Sequence, residues 1–195
     1  MGRAELFNIV YEGSCDFMKW IPIEEAHLQQ ILDWRTSEQV TKFMYTDIEY
    51  NLEQQYKWLE RIKADQMGQY FIMEYRDEYI GFISLTNIHW TYKRATWNFY
   101  IGNMKYAMLA GFLGAYMYNY AFNELGLEKL NGEVMDINEG VRKLHIKQSA
   151  REVGVLERHI VKNDIWHDVY MFEMTKERWA VVGQKYRKYV AEVSK

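Results

Sequence analysis

The sequence predicts an α/β fold: a mixed, mostly antiparallel twisted sheet with a central parallel pair and helices on both faces. Three observations carry this. Helical apolar spacing dominates the first part of the chain up to Ile62. From Gln69, stretches rich in β-branched and aromatic residues follow one another across short polar breaks, as in an antiparallel meander. Strand and helix patterns then alternate, and two strands joined through a helix must lie parallel.

After Pro22, the only proline, Leu28, Ile31, Leu32 and Arg35 fall on one helical face. Ser37 is placed to cap a short helix with Val40 and Phe43 turned inward. Asn51-Leu52-Glu53-Gln54 has the form of a capping box, and Leu52, Tyr56, Leu59 and Ile62 recur at helical spacing. Residues 69–75 and 79–87 read as two strands joined by Arg76-Asp77-Glu78. A third strand, 96–101, alternates Trp97, Phe99 and Ile101 against Thr96, Asn98 and Tyr100. A long helix spans about Leu109 to Leu125 and is closed by Gly126 at the position after the cap. Residues 130–135 form a strand, and Asn138 caps a helix running to about Gln148. Strands near 153–158 and 167–175 follow. A C-terminal helix over about 176–193 carries Trp179, Val182, Tyr186, Tyr189 and Val193 on one face. No linker, repeat or low-complexity tract interrupts the chain, which reads as one domain over 1–195.

Composition removes several classes of function. A chain of 195 residues with 49% hydrophobic and 26% charged residues is globular, neither disordered nor fibrous. A net charge of −3 argues against a dedicated nucleic-acid binder. No apolar run is long enough for a membrane span, and Met1-Gly2-Arg3-Ala4-Glu5 lacks the apolar stretch of a signal peptide. The single cysteine, Cys15, excludes an internal disulfide framework. A cytoplasmic protein is expected. The five histidines show no metal-ligand spacing, so no catalytic metal is expected.

Several short stretches stand in a telling order: Trp34-Arg35-Thr36-Ser37, Val40, Met44, Trp58-Leu59-Glu60, Ile80-Gly81 and Tyr100-Ile101-Gly102. Further on come Tyr120-Ala121-Phe122-Asn123-Glu124-Leu125-Gly126-Leu127, Glu133-Val134, Asn138-Glu139, Leu144-His145 and His167-Asp168-Val169. In this order and spacing, from about Trp34 to Trp179, the chain resembles the GNAT acyltransferases, which use acetyl-CoA. It looks most like the branch that acetylates nucleotide-linked amino sugars, as in pseudaminic acid synthesis, and its relatives that act on ribosomal-protein N-termini. The family's glycine-rich phosphate loop corresponds to Lys105-Tyr106-Ala107-Met108-Leu109-Ala110, with Met108 in place of the central glycine. The Leu-Gly-Phe that follows the later helix in the family is Gln148-Ser149-Ala150 here.

The resemblance implies roles. Free N–H groups at the start of the long helix bind the CoA pyrophosphate, which places Lys105, Tyr106, Ala107, Met108, Leu109, Ala110 and Gly111 at the cofactor. The pantetheine arm meets the main chain of Phe99, Tyr100 and Ile101, where an N–H polarises the thioester carbonyl. Asn138 hydrogen-bonds CoA. His145 stands where a family tyrosine protonates the leaving thiolate, seven residues after Asn138 and hence on the same helical face. His89 is the expected base, with Glu133 and Asp168 as alternatives. Trp34, Arg35, Tyr45 and Trp90 are expected to hold the acceptor, Arg35 through a diphosphate. The implied activity is acetyl transfer to the amine of a small acceptor, first a nucleotide-linked amino sugar. A protein N-terminus, a polyamine or an antibiotic are alternatives, as is a binding module with impaired catalysis. A homodimer is compatible with this reading.

Overall fold

The computed structural model describes residues 17–194; Cys15 and the N-terminal segment 1–5 lie outside them. Hydrophobic alternation sets the sheet. β1 (Lys19–Pro22) pairs antiparallel with β2 (Gln69–Tyr75), which pairs antiparallel with β3 (Glu78–His89). The β2–β3 turn places Arg76 and Asp77 at φ 54° and 58°, the double left-handed geometry that suits the twist of a tight hairpin. β3 pairs antiparallel with β4 (Arg94–Ile101), and β4 runs parallel to β5 (Lys129–Met135). β7 (Ile165–Thr175) pairs antiparallel with β5, and β6 (Arg151–Lys162) lies outside β7. β8 (Glu192–Val193) closes the far edge beside β1, giving the order β6-β7-β5-β4-β3-β2-β1-β8.

Alternate residues of the strands supply two cores. Phe71 and Met73 enter the larger one, whereas Ile72 between them enters the smaller. Against the first face lies α4 (Ala110–Asn119), which buries Leu113, Ala115, Met117 and Tyr118. A π-helical turn, Tyr120–Glu124, ends it, and Gly126 follows at φ +66°, as expected of a helix stop. The same face carries α5 (Glu139–Lys147) and α6 (Lys176–Val182). Against the second face lie α1 (Leu28–Thr36), α2 (Glu38–Thr41) and α3 (Leu52–Ala64), with Leu28, Ile31, Trp34 and Leu59 packed on Ile72. The expected mixed sheet with helices on both faces is therefore observed. No helix among the described residues is long and apolar enough to cross a membrane.

Two edges differ from expectation. β1 is only four residues long, too short for a periodic signal, yet its Trp20 is fully buried and stacks on Phe71 at 5.8 Å. The C-terminal helix expected to reach residue 193 stops at Val182, passes through a 3-10 turn (Gly183–Tyr186) and ends in β8. Asn119 fastens this path. Its amide donates to the carbonyls of Tyr186 and Tyr189 at 3.0 and 2.9 Å, and its Oδ1 accepts from Trp179 Nε1 at 2.9 Å. A buried amide so satisfied holds the chain in a non-helical path. β6 is longer than expected and irregular, with register shifts between Glu152 and Gly154 and between Leu156 and Ile160.

Gly126 has open space where a Cβ would sit, so its substitution isolates backbone strain. Gly126→Ala should lower stability by about 1 kcal/mol through the left-handed conformation alone; a urea melt with an unchanged midpoint would contradict this.

Candidate active site

β4 and β5 pair at only three positions, Arg94↔Lys129, Ala95↔Leu130 and Thr96↔Asn131. Beyond these, β4 stays with β3 as far as Ile101↔Gly81, and β5 stays with β7 as far as Met135↔Val169. The two central strands therefore splay, and the facing backbone edge of residues 97–101 has no strand partner. Backbone donors and acceptors need partners, so this edge suits an extended, amide-rich ligand. A cleft of about 970 Å³ occupies the splay. Its lining includes Trp97, Asn98, Phe99 and Tyr100 of β4, Glu133 of β5, Asn138 and His145, together with Arg35, Phe43, Tyr45, Thr46 and Trp58.

α5 brings Asn138 and His145 to the cleft together. The Asn138 side chain caps this helix, accepting from Val141 N at 3.3 Å. Two turns on, His145 is 5% exposed, stacked on Phe172 at 4.7 Å and edge-on to Trp97 at 5.5 Å. A Cβ on Gly132 would come within 2.9 Å of the imidazole, so β5 carries a glycine there. The Nδ1 atom of His145 is buried with no hydrogen-bond partner. Burial pushes its pKa down to about 4, so the ring is neutral at pH 7. The sequence expectation is a group that protonates the leaving thiolate; a ring neutral at pH 7 can offer a sulfur only a hydrogen bond.

On the other wall, Tyr45 donates to Glu133 Oε2 at 3.0 Å. Burial and the neighbouring carboxylate push the Tyr45 phenol pKa up, so it stays protonated and orients Glu133. Arg35 donates through Nη2 to the Thr46 carbonyl and hydroxyl at 2.7 and 3.1 Å, while its Nη1 is buried without a partner. Burial lowers the Arg35 pKa, against the raising influence of Tyr100 and Asp47.

Of the residues expected at the site, Phe99, Tyr100, Asn138, His145, Arg35, Tyr45 and the alternative base Glu133 line this cleft. The others lie elsewhere. His89 and Trp90 sit at the β3–β4 turn, where His89 stacks on Tyr92 at 4.0 Å and accepts from its N–H. Trp34 is buried against Gly102, where any Cβ would overlap its ring. Ile101 is core. The segment expected as a phosphate loop is a 3-10 helix, Met104–Leu109, running into α4. Asn103 already accepts from the Lys105 and Tyr106 N–H groups, and Glu78 binds Lys105 Nζ at 2.5 Å and the Tyr106 hydroxyl at 2.8 Å. Met108 is 77% exposed. Ala107, Leu109, Ala110 and Gly111 do not line the cleft, although Gly111 lies beside Leu144 of α5. Asp168 instead accepts from Arg158 N at 2.7 Å. The sequence reading missed the loop residues Phe43, Thr46 and Ile48, as well as Phe82, which stacks on its cross-strand partner Tyr100 at 5.4 Å.

Comparison with known proteins identifies the family and bears out the fold. The acetyltransferase (GNAT) domain family matches residues 21–150, and the chain belongs to that family. It is an acetyl-CoA-dependent N-acetyltransferase. No curated protein matches it. Among solved structures, a Vibrio cholerae spermidine N-acetyltransferase in complex with CoA and spermine superposes with a TM-score of 0.78 at 17% identity. The alignment covers 84% of this chain and 98% of that one. A dodecameric form of a Vibrio cholerae spermidine N-acetyltransferase in an intermediate state gives 0.71 at 17% identity, over 83% and 95% of the two chains.

The depressed pKa of His145 has a sign. Unfolded chains take up its proton near pH 6.5 and the folded chain near 4. Its contribution to stability is therefore complete above the unfolded value and is lost as pH falls toward 4. Between those limits the parent should lose about 3 kcal/mol more than His145→Phe. Parallel stability–pH curves from denaturant titration would refute this.

Proposed function

We propose that the chain transfers the acetyl group of acetyl-CoA to the primary amine of a small acceptor held between Arg35, Tyr45 and Glu133. The observation that carries this is the continuity of the cleft from the unpaired β4 edge to those three side chains. The amine nitrogen attacks the thioester carbon, the carbon–sulfur bond breaks, and the Glu133 carboxylate takes the amine proton directly or through water. Main-chain N–H groups of residues 99–101 polarise the carbonyl. A neutral ring N–H of His145 hydrogen-bonds the departing sulfur, and solvent supplies its proton.

For the acceptor, the structural neighbours named for spermidine acetylation support a polyamine. A specific observation favours a second reading, an amine carried on a phosphate-bearing group such as a nucleotide-linked sugar. The cleft wall holds Arg35, and Arg35, Lys57 and Arg61 outnumber Glu60 and Glu133 along it. An arginine so placed matches phosphate oxygens and repels a polycation.

Thiol release from acetyl-CoA should be followed with spermidine and with a UDP-linked amino sugar. Glu133→Gln should lower kcat by roughly 10²–10⁴-fold with either acceptor. Arg35→Met, which also frees Thr46, should weaken use of both acceptors, but use of the sugar nucleotide by roughly 10-fold or more beyond the loss with spermidine. Release from neither acceptor would refute both readings.

A further inference from the structure

β6 breaks the usual pattern of burial. From Arg151 to Val161 its residues are exposed or half-buried, and the only buried residue of the strand is Lys162, with a side chain 5% exposed. A lysine is the last residue expected to occupy a strand's one interior position unless a partner compensates its charge. The β6–β7 turn sets its place, with Asn163 and Asp164 both left-handed at φ 50° and 60° and Lys162 immediately before them.

The partner is Asp47, 115 positions away in sequence, which Lys162 Nζ contacts directly. Asp47 also accepts from the Thr41 hydroxyl at 2.8 Å. It lies in the loop between α2 and α3. Its neighbours Thr46 and Ile48 both line the cleft, as does Tyr45, while Asp47 itself turns to Lys162. The loop thus has its inner side on the cleft and its outer side tied to a hairpin at the edge of the sheet. Arg35 and Glu133 grip the inner side through Thr46 and Tyr45.

We infer that Lys162 is a positioning residue for the acceptor: by fixing Asp47 it fixes the wall that presents Tyr45 and Thr46 to the cleft. This rests on the reading that the Arg35–Tyr45–Glu133 end of the cleft takes the amine. Lys162 lies outside the cleft lining, so its removal should disturb acceptor binding while leaving the β4 edge, and with it acetyl-CoA, untouched.

The test uses the full chain and the variants Lys162→Met, Asp47→Asn and the two combined. Hydrogen exchange of residues 42–51 should accelerate in both single variants, with β4 and α5 unchanged. KM for the acceptor that turns over, spermidine or the UDP-linked amino sugar, should rise roughly 10–100-fold, with acetyl-CoA affinity within about twofold of the parent. The double variant should be no worse than the poorer single one, because the two residues act as one unit. Asp47→Asn, at a half-exposed position, keeps the test open if Lys162→Met folds poorly. Unchanged loop exchange, or a loosened loop with a parental acceptor KM, would overturn the inference. If neither acceptor is turned over by the parent, the functional reading fails and the positioning role falls with it; parental loop exchange would show separately that Lys162 does not hold the wall.

Discussion

The site exists because two neighbouring strands pair for three residues and then part. Beyond Thr96, β4 has strand partners only from β3, and beyond Asn131, β5 has them only from β7. An unpaired backbone edge inside a sheet is costly, so the fold must hold it open and must also make it useful. α5 and β5 do the holding. The imidazole of His145, packed between Phe172 and Trp97, fills the space at the root of the splay. Gly132 gives it room, so wedge and strand are mutually dependent. The same residue that keeps the strands apart thereby brings a polar nitrogen to the point where the cleft begins.

The second requirement is a wall facing that edge. Most of the wall is a loop without regular structure, and a loop is precise only if its side chains are tied down. Here the ties come from four directions: Arg35 on α1, Thr41 on α2, Glu133 on β5 and Lys162 on β6. Each connects the loop to an element that belongs to the sheet or packs on it. This end of the cleft therefore inherits the rigidity of the sheet.

Much of the fold was legible because its signals are local. The β2–β3 hairpin, the long helix ending before Gly126 and the Asn138 cap are each set by a handful of adjacent residues. β1 and β8 were not, because strands of four and two residues are defined by their partners. The site was legible where register decides it and misread where direction does. β3 runs away from the splay, so His89 at its end is at the far side, whereas Phe82 near its start meets Tyr100. Successive residues of a helix point about 100° apart, so Trp34 turns inward to Gly102 while Arg35 reaches the cleft. The resemblance to a phosphate loop did not anticipate Glu78, which draws Lys105 and Tyr106 to itself across the sheet edge.

β6 is an outer strand, and exposed outer strands invite further strands to add on. This one carries Val153, Val155 and Leu156 in the open, a composition that would favour stacking of copies in concentrated solution. Its two register shifts interrupt the spacing of its outward N–H and C=O groups, and Arg151, Glu152, Glu157 and Arg158 place charge along the same stretch. An incoming strand would have to match both irregularities at once. The departures from ideal pairing thus give the protein a built-in resistance to edge-to-edge aggregation, secured in backbone geometry without removing the apolar side chains.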